Sequence, residues 1–81
     1  MNYQEGEVVE VFSNSQNSYI PGKVIRIIAP GEKFFDSVRQ SAVPSGSVFV
    51  EYGPPGNSTE KWVLPEAVAK GLRKKQGASG K

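Results

Sequence analysis

Apolar positions fall into short runs, most with a period of two, and clusters of Gly, Pro, Asn and Ser separate them. The clearest case is residues 47–64, SVFVEYGPPGNSTEKWVL. Successive side chains of a strand face opposite sides. Val48, Val50 and Tyr52 therefore share one face, and Phe49 and Glu51 the other. Residues 61–64 (KWVL) predict a second strand, and the intervening GPPGNS concentrates the residue types that a hairpin loop needs. This hairpin carries the only Trp, Trp62, and one of three Tyr, Tyr52.

The rest of the chain repeats the theme. Residues 7–12 (EVVEVF) are rich in β-branched side chains and predict a first strand, with Val9 and Val11 on one face and Val8, Glu10 and Phe12 on the other. Before it, Gly6 suits a turn and Tyr3 is expected to pack beneath the strands. SNSQNS at 13–18 is a loop of hairpin length, because Asn and Ser side chains compete for local backbone groups. Residues 19–28 (YIPGKVIRII) predict a second strand. Pro21 lacks the N–H a ladder requires, which marks an edge, a bulge or the strand's beginning, and Gly22 fits a bulge. From Lys23 onward this reads as the most buried strand, with Arg26 on its wetter face.

Residues 29–46 form a connection that is long for a small domain. Phe34, Phe35 and Val38 stand at helical spacing and predict a short amphipathic turn covering one end of the barrel. After the central hairpin, Pro65 followed by Glu66, Ala67, Val68 and Ala69 predicts a short helical turn stopped at Gly71. A final strand at Leu72 and Arg73 that closes the barrel is the alternative. Residues 74–81 (KKQGASGK) predict a flexible basic tail. The expected architecture is one all-β domain over residues 1–73: a small antiparallel barrel of about five strands with a short C-terminal helical or 3-10 turn.

Composition acts mainly by exclusion. The chain has neither Cys nor His, so disulfides, thiolate or imidazole zinc sites and His-based nucleophile triads are impossible within it. Its eight acidic residues are scattered, and no phosphate-binding or nucleophile-elbow motif is present. An enzyme is therefore not expected, nor any cofactor or metal. Ten basic residues against eight acidic ones leave a net charge of +2, too mild to imply nucleic acid by itself. No apolar run approaches the roughly 18 residues of a membrane span, and the polar N-terminus is unlike a signal peptide. The expectation is a monomeric domain, nuclear or cytoplasmic, with no membrane partner.

The order of Gly6–Phe12, the aromatic-led YIPGKVI, VFVEYG, a polar loop with Asn57 and a closing Leu72-Arg73 resembles the Tudor and Agenet group of SH3-like barrels. Methyl-reading members of that group hold a methylated Lys or Arg in a cage of aromatic rings, whose negative faces attract the cation. The resemblance implies Phe12, Tyr19 and Tyr52 as cage positions, with Asn57 as polar partner and a protein or peptide, methylated in the sharpest version, as ligand. Pro54 and Pro55 stand where the group often has a further aromatic, which leaves three rings at most.

Plainer readings stand beside these. Phe12 and Tyr52 are equally readable as core aromatics, Tyr19 as a rim residue, and Trp62 as partly buried or ligand-contacting. WVLPEAV also resembles the Pro-containing end of SH3 domains, which bind proline-rich peptides, although the ALYDY signature of that family is absent. Nucleic acid is the third possible partner, through the basic run Lys70, Arg73, Lys74 and Lys75.

Overall fold

The computed structural model describes residues 3–74. The described chain forms β1 (Val8–Ser13), β2 (Ser18–Ile27), β3 (Phe34–Asp36), β4 (Ser41–Val43), β5 (Val48–Tyr52), β6 (Thr59–Val63) and β7 (Leu72–Lys74). Five of these make one antiparallel sheet in the order β6-β5-β2-β1-β7, while β3 and β4 pair only with each other. Between β6 and β7 the chain makes a 3-10 turn (Pro65–Ala67) and one turn of helix, α1 (Val68–Gly71). The two sequence alternatives for this segment are thus both realised in succession: a helical turn, then a closing strand that pairs Leu72 with Val11 and Lys74 with Val9. Lys74, read from sequence as the start of the tail, is the last residue of β7; residues 75–81 lie outside the described part. No helix among the described residues is long and apolar enough to cross a membrane.

β2 is the pivot. Its first half pairs with β1, setting Tyr19 opposite Phe12, and its second half pairs with β5, setting Ile27 opposite Val48. Gly22 meets both neighbours, Val9 on one side and Tyr52 on the other. A Cβ at this position would lie 2.6 Å from the Glu51 carbonyl oxygen and 2.9 Å from Val11 Cγ2. The glycine therefore serves close strand approach and not the bulge expected there. The ladder irregularity falls instead between Val24 and Arg26. It turns Ile25 outward, so Val24 is the only fully buried residue of β2, and β2 is not the most buried strand. Pro21 stands one position past the last β2–β5 pair, at the ladder's end, where a missing N–H is tolerated.

The core is built by alternation. Val9, Val11, Val24, Val48, Val50, Val63 and Leu72, drawn from all five strands of the sheet, pack into one cluster, with Tyr3, Ile27, Tyr52 and Val68 at its margin. Each such aliphatic side chain stabilises the fold by about 1.5–3 kcal/mol relative to exposure. Tyr3 packs as expected.

The long connection departs from expectation. It contains no helical turn; β3 and β4 form a hairpin in which Phe34 pairs with Val43 and Asp36 with Ser41. Asp36 explains the turn: its Oδ1 accepts hydrogen bonds from the backbone N–H of Val38 at 3.0 Å and of Arg39 at 3.4 Å. Strand alternation then separates the two Phe side chains, so Phe34 packs inward against Trp62 while Phe35 is exposed, and Val38 at the tip is 91% exposed.

Candidate functional site

Phe12 lies on the face of β1 opposite the buried Val9 and Val11, and the first hairpin sets it directly across from Tyr19. Their rings meet edge to face, 5.3 Å between centres. Tyr19 reaches over β1 and donates its hydroxyl hydrogen to the Lys70 carbonyl oxygen at 2.7 Å. Its ring face carries the Arg73 guanidinium at 3.9 Å. Arg73 is itself fixed by its Nε, which donates to Glu10 Oε1 at 2.6 Å, across the register pair Glu10–Arg73. Phe12 and Tyr19 are thus brought together as the sequence implied, and Tyr19 presents a ring already holding a cation of its own chain.

Tyr52 is placed differently. It packs half-buried against the core margin, and its partner is Lys61. Lys61 shares its face with Val50, yet its ammonium escapes the interior by donating to the Phe12 carbonyl oxygen at 2.9 Å and lying 5.3 Å from the Tyr52 ring centre. Lys61 therefore spans from Tyr52 to β1, and no ring contact joins Tyr52 to the Phe12–Tyr19 pair.

A groove of about 650 Å³ opens beside this pair. Phe12 and Tyr19 form one wall; residues 61–64 and the turn that carries Glu66 and Lys70 form the other. Two sequence features make it. The Phe12–Tyr19 wall exists because Phe12 falls on the non-core phase of β1. The opposite wall exists because Pro65 ends β6 and starts the 3-10 turn, folding the chain back.

Trp62 belongs mainly to a second surface. Its register partner is Phe49, on the outer face of the sheet, and the two rings lie 4.8 Å apart. Phe34 from the β3 strand joins them at 5.4 Å, and Trp62 Nε1 donates to Asp36 Oδ2 at 3.0 Å. Arg26 lies 5.0 Å from the Phe34 ring centre and pairs with Glu32. A groove of about 890 Å³ runs over this aromatic floor, with Arg39 and Glu60 at its rim.

The chain matches no family model, no curated protein and no solved structure.

The remaining candidates separate. Asn57 sits in the β5–β6 loop, where its N–H closes a turn on the Pro54 carbonyl, and it lines neither groove. The basic run is largely compensated: Arg73 pairs with Glu10, and Lys74 with Glu7 at 2.6 Å. The Lys74 ammonium, by this hydrogen bond, holds the Glu7 carboxyl below its ordinary value, and burial pushes the neighbouring Tyr3 phenol up. Lys70 lines the first groove, and Lys75 lies outside the described residues. Among the described residues no cluster of three or more His, Cys, Asp or Glu converges as a metal site.

Lys61, Phe49 and Asp36 are not among the site residues that the sequence implies, and Phe34 enters there only as part of a helical turn. The signal for the first two was present. β6 begins at Thr59, two residues before the predicted start, and continuing the 48–52 alternation across the loop in that register sets Phe49 on Trp62 and Val50 on Lys61.

Proposed function

We propose that this domain is a non-catalytic interaction module that binds an extended peptide in the groove between the Phe12–Tyr19 wall and the β6–3-10 segment. The observation that supports this reading is the groove itself. Its volume of about 650 Å³ falls within the roughly 300–1,000 Å³ of ligand sites. It combines an aromatic wall with a polar rim, and neither the Glu66 carboxylate nor the Lys70 ammonium is engaged by a described residue. Aromatic rings supply contact area at small entropic cost, and rim charges supply orientation.

A methylated Lys or Arg is the second reading, favoured by one observation: the Tyr19 ring already carries a guanidinium, 3.9 Å from its centre. A ligand cation would take the place of Arg73. This resembles the Tudor mode in ligand chemistry but uses one ring face in place of a three-ring cage.

An NMR titration tests both readings. Pools of proline-rich, acidic and Arg- or Lys-methylated peptides are added to the labelled domain. Shifts centred on Phe12, Tyr19 and residues 60–71 are expected. Shifts confined to the opposite end of the sheet, or none with any pool, would remove the proposal.

A further inference from the structure

β6 is an edge strand: β5 flanks it on one side, and among the described residues no strand flanks the other. The first groove is lined by four consecutive residues, Lys61 to Leu64. Lys61, Trp62 and Val63 are the last residues of β6, and consecutive strand side chains point to opposite faces, so a groove that touches all three runs along the backbone edge itself. Among the described residues, no backbone hydrogen bond from a loop or turn closes on the outward edge of residues 59–63. An open row of N–H and C=O groups is a template for a further strand.

The second groove begins on the other side of the same edge, and Lys61 and Trp62 line both. An added strand would therefore send alternate side chains into the two grooves. We propose that the peptide partner binds by strand addition, as an extended segment pairing antiparallel with β6. This deepens the peptide-binding reading and rests on it.

The register of β5 on β6 indicates what suits each position. Val48 faces Val63 and Phe49 faces Trp62. An added strand repeats that logic with an aliphatic residue opposite Val63 and an aromatic one opposite Trp62. Charge sets the rest. Lys61 opposes an acidic residue, which enters the first groove where Lys70 also lies. Glu60, whose carboxylate no described residue engages, opposes a basic residue. Read from its N-terminus, the partner is aliphatic, aromatic, acidic, basic. A second copy of this chain fits poorly: a two-fold antiparallel pair centred on the middle of β6 sets Lys61 against its own copy, like charge on like charge.

The test uses the capped peptide acetyl-Thr-Val-Phe-Glu-Lys-Thr-amide and a control with Glu and Lys exchanged. Chemical shifts and amide hydrogen exchange are followed along the domain. The expected result is slowing of alternate β6 amides by about tenfold or more at saturation, with the control binding about two- to fivefold more weakly. Glu60 is exposed, so E60K keeps the fold; it should weaken the first peptide by a similar factor and be restored by a peptide with Glu in place of Lys. Shifts at Tyr19 and Lys70 without slowing of any β6 amide would overturn strand addition while leaving peptide binding intact. Absence of binding by this peptide would overturn the inference, whereas the peptide pools decide the broader reading. Slowing that grows with protein concentration in the absence of peptide would assign the edge to a second copy and equally overturn it.

Discussion

The Arg73 guanidinium lies 3.9 Å from the centre of the Tyr19 ring, on a ring whose hydroxyl is tied to the Lys70 carbonyl. This contact joins β2 to β7, across β1, and it covers one face of the Tyr19 ring. It gives Arg73 two roles that mutation can separate. One is to hold β7 in place; the other is to cover one face of the Tyr19 ring.

Arg73→Ala should therefore cost little stability and change selectivity. A cation–π contact at an exposed site contributes about 0.5–1 kcal/mol, and the half-exposed ion pair with Glu10 contributes about 0–1 kcal/mol. Urea unfolding should show a loss of about 1 kcal/mol. If a methylated cation is the natural ligand, the same variant binds it more tightly than wild type, because the Tyr19 face is free.

Gly22→Ala should be strongly disruptive, because Gly22 lies between β1 and β5. The added Cβ would meet the Glu51 carbonyl oxygen at 2.6 Å and Tyr52 Cβ at 3.0 Å, and neither is the end of a flexible side chain. Relief requires β2 to move away from β5. Overpacking of this kind costs about 1–3 kcal/mol. The check is a lowered urea midpoint with an unchanged slope.

Asp36 links the β3–β4 hairpin to the sheet through Trp62 Nε1 and also closes the hairpin turn. Asp36→Ala should loosen residues 34–43 while leaving the barrel folded. Hydrogen bonds to a charged group contribute about 1.5–3 kcal/mol. The measurable outcome is faster amide exchange in β3 and β4, together with a changed Trp62 fluorescence maximum.

Acid should weaken the closure of β7. The Lys74 hydrogen bond holds the Glu7 carboxyl below its ordinary value. A group whose folded value is depressed adds stability above its unfolded value and loses it as pH falls through the folded one. The window is the carboxylate range, below about pH 4. Thermal unfolding from neutral to acid pH should fall more steeply for wild type than for Glu7→Gln, with the two curves converging at the acid end.

Much of the fold was legible because burial enforces alternation. Val9/Val11 and Val48/Val50 announce a shared interior, and GPPGNS and SNSQNS announce where the strands reverse. The legible part of the site was the Phe12–Tyr19 pair, since a hairpin of known loop length brings them together. Two errors had local causes. Phe34, Phe35 and Val38 satisfy a helical spacing over too few residues to distinguish it from a strand and a turn, and the signal that decides, Asp36 capping its own turn, lies in side-chain chemistry and not in periodicity. A glycine in a strand signals either a bulge or close backbone approach, and for Gly22 only the position of β5 tells which. Lys61 was hidden for a different reason: a lysine on a core-facing phase is tolerated here only because the Phe12 carbonyl lies within reach of its long stem.

Binding in the Phe12–Tyr19 groove is tested by the affinity of the tightest peptide drawn from a display library, measured by calorimetry against wild type, Lys70→Glu and Arg39→Ala. Lys70 and Arg39 are both exposed, and they stand at the first and second grooves respectively. Binding in the Phe12–Tyr19 groove predicts that Lys70→Glu changes affinity several-fold, the order expected of a rim charge reversal, while Arg39→Ala stays closer to wild type. A peptide whose affinity ignores Lys70→Glu and collapses with Arg39→Ala would place the binding site on the Trp62 face and rule out the Phe12–Tyr19 groove.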